Sequence, residues 1–138
     1  MPNSRTKGAT FEREVARAIY DHLGIEVRRN LDQTRDGGHD LIGLSPFAIE
    51  CKRYKTATLG IKRQWWKQAV TQAAALDLIP VVIYREDRGE LRALMSEGII
   101  FPMDDYRGVC EIGFELWAGI AREYLSQENF KTDLIGSH

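Results

Sequence analysis

Three charged residues on a short stretch of the chain are of types that could bind a metal ion and act on a phosphodiester. Asp40 opens an apolar segment, and Glu50 and Lys52 follow after the turn sequence Ser45-Pro46. Because side chains alternate along a strand, Glu50 and Lys52 would share one face, about 6.6 Å apart. Two convergent carboxylates suit a hard cation, and an ammonium group can stabilise developing charge or help to deprotonate water. The pattern indicates metal-dependent phosphodiester hydrolysis.

The triplet Glu50-Cys51-Lys52 is a weak signal by itself. Charged residues make up about a quarter of an average chain, or about 6% for each type, so the pattern Glu-x-Lys arises by chance in roughly half of chains of this length. A strand whose charges simply face water explains it equally well. The residues between the charges, Phe47, Ile49 and Cys51, are apolar or small and are expected to point into a core. Context must therefore decide between the two interpretations.

The composition is that of an ordinary globular protein. The chain has 138 residues, of which 43% are hydrophobic and 28% charged, and this predicts one domain over residues 1–138. Cys51 and Cys110 have no C-x-x-C or zinc-ligand spacing. Together with a polar start that lacks an apolar h-region, they favour a reducing, cytoplasmic location. No apolar run approaches the length needed to cross a bilayer, so no membrane partner is expected.

The net charge of −1 conceals an uneven distribution. Residues 1–72 contain 13 Lys and Arg against 8 Asp and Glu, whereas residues 73–138 contain 6 against 12. The basic half is the one that carries Asp40, Glu50 and Lys52, as a polyanionic substrate would require. The acidic half needs another explanation, such as a solvated rim or a surface for a partner.

Hydrophobic periodicity predicts the order helix, three strands, helix, two strands, helix. The predicted helices run from Thr10 to Gly24 and over about 61–78 and 114–126, and the predicted strands over about 25–29, 39–44, 47–53, 81–84 and 91–95. Residues 96–112 are predicted to be irregular and residues 127–138 to be a frayed tail. This order fits an α/β fold with a central mixed five-stranded sheet flanked by helices. The helical crossover would make strands three and four parallel.

Several motifs lie at matching places on these elements. Lys7-Gly8-Ala9-x-Phe11-Glu12-Arg13-Glu14 opens the first helix, an arginine ends strand one, Asp40 opens strand two, Glu50-x-Lys52 lies on strand three, and Ile79-Pro80-Val81 enters strand four. Over about 7–95 the chain thereby resembles the PD-(D/E)xK nuclease superfamily. Within it, the chain resembles the archaeal-type Holliday junction resolvases, including versions carried by phages. The resemblance implies a restriction-endonuclease-like fold and covers a motif-bearing core at 7–95. The acidic helical extension at 96–138 matches nothing in the family, and its role is open.

The resemblance implies a role for each matching residue of the site. Asp40 and Glu50 would bind the metal together with the main-chain carbonyl of Cys51, and Lys52 would act on the attacking water. Glu12 matches the helix glutamate that completes the acidic cluster, and Glu14 is the alternative. The implied cofactor is Mg²⁺, for which Mn²⁺ could substitute.

The resemblance also implies a basic face for DNA. Arg13 and Arg29 match junction-binding residues, and Arg28 competes with Arg29 for that place. The other DNA-binding candidates lie in the first motif, near the glycine loop, or after strand three: Lys7, Arg35, Lys55, Lys62 and Arg63. Trp65 and Trp66 interrupt this last basic run and could stack on bases, but the helical period favours a core or dimer-interface position.

His39 stands where the superfamily has proline. It could position a water molecule beside Asp40, since an imidazole titrates near neutrality, or it could simply cap a loop.

The implied activity is that of a Mg²⁺-dependent, structure-selective endonuclease that cuts four-way DNA junctions and leaves 5′-phosphate and 3′-hydroxyl ends. A four-way junction has two-fold symmetry, so two cuts require two related sites and hence a homodimer. A nuclease with restriction-like, repair or flap selectivity would have the same active site, because the active site does not determine substrate shape. Two non-enzymatic functions also compete: a DNA-binding module without activity, and an interaction protein that uses the acidic half. The complete acidic set argues against the binding module, because it would otherwise repel phosphate.

Overall fold

The computed structural model describes residues 4–31, 39–99 and 108–136, and the side chains within these ranges from residue 8 to residue 127. Three helices, six strands and a short 3₁₀ turn lie in these ranges: α1 Ser4–Leu23, β1 Arg28–Arg29, β2 Leu41–Ile42, β3 Phe47–Arg53, α2 Leu59–Ala75, β4 Ile79–Arg85, β5 Arg92–Ser96, the 3₁₀ turn Glu97–Ile99, β6 Val109–Gly113 and α3 Phe114–Gly136. No helix in the described part of the chain is long and apolar enough to cross a bilayer.

The six strands form one mixed sheet in the order in which they occur along the chain. The pairing of β3 with β4 is parallel, with α2 as the crossover, and the other neighbouring strands are antiparallel. The predicted α/β fold, with a mixed sheet flanked by helices and strands three and four parallel, is confirmed.

The predicted count of five strands is wrong, because residues 109–113, predicted to be irregular, form β6. Cys110 and Ile112 pack against the core, whereas Val109 and Glu111 are exposed. This alternation covers only a few residues after a polar stretch, too little for a period of two to stand out in the sequence.

The first helix is built on a regular apolar stripe. Phe11, Val15 and Ile19 recur on one face and are buried against the sheet. The helix ends as predicted at Gly24, which has a φ of 68° and whose N–H donates to the carbonyl of Tyr20 at 2.8 Å. It begins at Ser4, earlier than the predicted Thr10, because no proline interrupts the polar residues before the stripe.

The last helix covers the same face of the sheet as α1. Phe114, Trp117 and Ala121 are buried, and the rings of Phe47 and Trp117 meet edge to face with centroids 5.7 Å apart. The helix begins at the predicted residue but continues to Gly136, so the predicted frayed tail from residue 127 is wrong over that length. No proline breaks the helix before that point.

The opposite face of the sheet is covered by α2. Thr58 caps this helix, since its Oγ1 accepts from the N–H of Ile61 at 3.2 Å. Trp65 and Trp66 are both buried against residues of β4 and β5. The interpretation of at least one tryptophan as a core residue is therefore confirmed.

Candidate active site

Asp40 is fixed beside β3 by two hydrogen bonds. The pairing of Leu41 with Ile49 places it next to Glu50. Its N–H donates to the carbonyl of Ile49 at 2.9 Å, and its Oδ2 accepts from the N–H of Cys51 at 2.7 Å. The residue is only 7% exposed. The carboxylate of Asp40 therefore has a defined position against the strand that carries Glu50 and Lys52.

Glu50 is half-buried beside Asp40 and carries an altered acidity. Burial, and after it the charge of Asp40, raises the pKa of Glu50 to about 8, and Lys52 opposes this shift. A side-chain hydrogen bond with Asp40 raises the pKa further. The Oε1 of Glu50 is buried without a hydrogen-bond partner among the described residues. In the absence of a cation, burial and the charge of Asp40 therefore favour the protonated form of Glu50.

The two carboxylates fit a divalent cation. The Oε1 of Glu50, which has no hydrogen-bond partner within residues 4–31, 39–99 and 108–136, is an available ligand atom. Positive charge would relieve the repulsion between the ionised carboxylates of Asp40 and Glu50. Within the described ranges, no three His, Cys, Asp or Glu side chains come together as a metal site of their own. Asp40 and Glu50 could supply two ligands, and the others would have to be main-chain carbonyls such as that of Cys51, water and phosphate oxygens.

The thiol of Cys51 is not suited to bind this ion. Its side chain packs against the core on the opposite face from Glu50 and Lys52. Burial, together with the charges of Asp40 and Glu12, raises the pKa of Cys51 well above its ordinary value. The thiol is therefore protonated, and only the main chain of Cys51 is available to the site.

An arginine holds each of the two glutamates that α1 brings to this end of the sheet. The Oε2 of Glu12 accepts from the Nε of Arg29 at 2.7 Å, and the Oε2 of Glu14 accepts from the Nη1 of Arg85 at 2.6 Å. Glu12 is close enough to Glu50 to contribute to the raised pKa of that residue. The structure thus groups Glu12 with the carboxylate pair and joins Glu14 to β4.

The two glutamates of α1 provide a matched test. We expect Glu12→Gln to lower the cleavage rate about ten- to a hundredfold, because it removes a negative charge beside Glu50. We expect Glu14→Gln to leave the rate within about twofold and to cost less than about 1 kcal/mol of stability, because its ion pair with Arg85 is partly exposed. Single-turnover cleavage by the two variants measures the difference. Equal losses of rate would contradict the assignment of Glu12 to the site.

Lys52 lies on the same face of β3 as Glu50. Side chains two residues apart on a strand share a face, and Lys52 is partly buried there. The neighbouring residue on β4 is Tyr84, which is buried under α2. The ammonium group of Lys52 therefore projects from the face that carries the carboxylate pair.

His39 is buried next to the carboxylate pair. Burial lowers the pKa of His39, and the charge of Asp40 offsets this only in part. Its Nδ1 is buried without a hydrogen-bond partner among the described residues. The His39 carbonyl accepts from the Nδ2 of Asn30 at 3.0 Å. The lowered pKa keeps the imidazole of His39 neutral near pH 7. The loop that His39 could cap lies outside the described residues.

The proposed DNA-binding residues differ in their availability. Four of them are exposed: Arg13, Arg28, Lys55 and Arg63. Arg29 is engaged with Glu12, and the Nζ of Lys62 lies 3.0 Å from a carboxylate oxygen of Glu111. Arg35 and the side chain of Lys7 lie outside the described residues.

Sequence reasoning missed Glu111, which neutralises two basic residues near α2. It accepts from Arg92 at 3.2 Å in addition to its ion pair with Lys62. Burial alone would raise the pKa of Glu111, but the hydrogen bonds from Lys62 and Tyr84 lower it. No local signal could have revealed this contact, because Glu111 lies on β6, which was not predicted.

Comparison of the sequence with family models gives a match over most of the chain. The family described as "Phage putative PDDEXK endonuclease" matches residues 3–105. The chain belongs to this family. It is a nuclease by family. The residues that the sequence analysis assigned to the PD-(D/E)xK motif, Asp40 and Glu50-x-Lys52, lie within the matched range, and His39 directly precedes Asp40.

The fold of this chain is also similar to the solved structure of another protein. This is the 1.6 Å structure of Archaeoglobus fulgidus Hjc, described as a Holliday junction resolvase from an archaeal hyperthermophile. The two chains are 19% identical, the match covers 80% of this chain and 86% of that chain, and the TM-score is 0.47. A likeness at this level has no bearing on substrate. None of the curated proteins compared with the PDDEXK endonuclease matches it in sequence.

Proposed function

We propose that this PDDEXK endonuclease is a Mg²⁺-dependent, structure-selective DNA endonuclease that resolves four-way junctions as a homodimer, with Mn²⁺ as a substitute ion. The observation that carries metal-dependent hydrolysis is the pairing of buried Asp40 with half-buried Glu50. The Oε1 of Glu50 has no hydrogen-bond partner among the described residues, and Lys52 lies on the same face. Branched DNA as the substrate is supported by the motifs that resemble those of archaeal-type resolvases over about 7–95, and the exposed basic residues Arg13, Arg28, Lys55 and Arg63 are available to a polyanion.

Each residue of the site would have its own part in hydrolysis. Asp40 is already held by the N–H of Cys51 at 2.7 Å, so it would meet the cation without rearrangement. Glu50 would lose its proton as the cation binds. Lys52 would orient the attacking water and stabilise the charge that develops on the scissile phosphate. Mg²⁺ held by these residues would polarise that phosphate and lower the pKa of water. The water oxygen would bond to phosphorus as the bond to the 3′-oxygen breaks, and protonation of that oxygen would leave a 3′-hydroxyl and a 5′-phosphate.

The deciding experiment compares a synthetic four-way junction with a linear duplex of the same arms, in Mg²⁺, Mn²⁺ and EDTA. We expect paired nicks near the crossover in either metal, and none on the duplex or in EDTA. Equal cutting of both substrates would support nuclease activity but contradict selectivity for four-way junctions. Cutting in EDTA would contradict the requirement for a divalent metal ion.

The proposed homodimer is tested separately by sedimentation at micromolar concentration. We expect the mass of a dimer, because two symmetric cuts need two related sites. A monomer under the conditions of cleavage would contradict the symmetric assignment.

A further inference from the structure

We propose that Tyr54 stacks on an unstacked nucleobase near the scissile phosphate and thereby favours branched over linear DNA. The inference rests on the proposed function, because it names a feature of the substrate that the same site would recognise.

Tyr54 is the exposed member of an aromatic cluster at the end of β3. Tyr54 lies two residues after Lys52 in the sequence and is 41% exposed. Its ring packs edge-on against Trp65 with centroids 4.9 Å apart and planes at 68°, and Trp65 packs on Tyr84 at 5.6 Å. Trp65 and Tyr84 are buried. Of these three rings, only that of Tyr54 presents substantial surface to a ligand.

The cluster lies on the face of the sheet that carries Glu50 and Lys52. Tyr84 is the partner of Lys52 in the pairing of β4 with β3, and paired residues on adjacent strands project to the same face. Tyr54 also lies on this face, because its ring contacts Trp65 of α2. That helix covers the face of the sheet in question. Two residues of extended chain span about 6.6 Å, so the main chain of Tyr54 lies close to that of Lys52. A base near a phosphate bound at Lys52 is therefore the candidate partner of the ring.

The connector that carries Tyr54 is fastened to the turn after β4. The N–H of Tyr54 donates to the carbonyl of Arg85 at 3.2 Å, and its carbonyl accepts from the Nη1 of Arg53 at 2.8 Å. The next carbonyl, that of Lys55, accepts from the N–H of Asp87 at 3.2 Å. Because the main chain is held on both sides of the ring, stacking would cost little conformational entropy.

An aromatic surface beside cations suits a nucleobase. Lys52 and the exposed Lys55 flank Tyr54 in the chain, and their charges favour a phosphate backbone near the ring. A base inside a linear duplex is stacked on both faces and must first be unstacked, whereas a base at a branch point can offer a face at once. The contact would therefore select for branched DNA, and it would show little sequence preference because every base has a π-face.

The test uses the full chain and a set of tyrosine variants. Tyr54→Ala removes the ring, Tyr54→Leu keeps an apolar contact with Trp65, and Tyr54→Phe keeps the aromatic face. Tyr20→Ala is the matched control, since Tyr20 is 54% exposed and lies about 12 Å along α1 from Glu12. Thermal melting by circular dichroism identifies the variants that fold.

Single-turnover cleavage of a four-way junction is the first readout. We expect it to fall about tenfold in Tyr54→Ala and Tyr54→Leu, and to stay within about twofold in Tyr54→Phe and Tyr20→Ala. If wild type resolves the junction and Tyr54→Leu does so at the same rate, the stacking role is overturned and the proposed function stands.

A second readout does not depend on cleavage. The junction carries 2-aminopurine at the branch point, and the protein carries Asp40→Asn so that the DNA stays intact. We expect quenching of the 2-aminopurine fluorescence on binding, and its loss when Tyr54→Leu is added. Quenching that persists without Tyr54, or no quenching at all, overturns the stacking role. If wild type cuts no DNA, the proposed function fails, and this assay still decides on Tyr54.

Discussion

Asp40→Asn and Lys52→Ala are each expected to lower DNA cleavage by about a thousandfold or more. The first change removes the charge of a proposed metal ligand, and the second removes the cation that would act on water and phosphate. In the wild type, the Oδ2 of Asp40 accepts from the N–H of Cys51 at 2.7 Å. Asparagine keeps an oxygen that can accept this hydrogen bond, so we expect the variant to fold. Single-turnover cleavage of the junction in Mg²⁺ measures both effects.

Exposed residues of the same types serve as controls for these two variants. Asp21→Asn and Lys67→Ala change residues on exposed faces of α1 and α2 and should leave the rate within about twofold. Cleavage above a tenth of the wild-type rate in Asp40→Asn would show that Asp40 is not a ligand. Cleavage above a tenth of the wild-type rate in Lys52→Ala would show that a group other than Lys52 activates the water.

Glu50→Gln is expected to stabilise the metal-free protein by about 4 kcal/mol at pH 8 while it abolishes cleavage. The folded state holds the pKa of Glu50 at about 8, against 4.5 for an ordinary glutamate. Between these two values the folded state binds one more proton than the unfolded state. The free energy of unfolding therefore falls as the pH rises, by up to about 1.4 kcal/mol per pH unit. Glutamine has no proton to lose, so the variant should not show this slope.

Urea unfolding in EDTA at pH 5.5 and pH 8 measures this difference. Wild type should lose stability between the two values, and Glu50→Gln should lose little. Glu26→Gln, at an exposed carboxylate, should behave like wild type. Mg²⁺ at pH 8 should raise the melting temperature of wild type, because a ligand that binds only the folded state stabilises it, and it should not raise that of Glu50→Gln. Parallel pH slopes in wild type and Glu50→Gln would refute the buried, protonated glutamate.

The sequence predicted those parts of the fold and site that depend on local periodicity. Alternation along β3 was enough to place Ile49 in the core and Glu50 on the other face, because a strand has a period of two residues. The stripe of Phe11, Val15 and Ile19 was likewise enough to orient α1. The position of Asp40 beside Glu50 needed more, since it depends on the register of β2 against β3.

Contacts between distant parts of the chain could not be predicted in this way. The ion pair of Glu14 with Arg85 joins α1 to β4, and that of Lys62 with Glu111 joins α2 to a strand that was not recognised. The raised pKa of Glu50 is also a property of the folded molecule, because burial is its largest cause. The sequence named the groups that meet at the site but not their protonation states.

The packing of α3 bears on how this nuclease could be moved between proteins. The family similarity ends at residue 105, yet Trp117, which lies beyond it, is fully buried and completes the core against Phe47. A fusion enzyme cut at the end of the recognisable signature would lose this helix and expose the apolar face beneath it, a surface prone to aggregation. The segment that must be transferred is therefore longer than the range that the family model matches. A linker to a DNA-targeting module should be attached after α3.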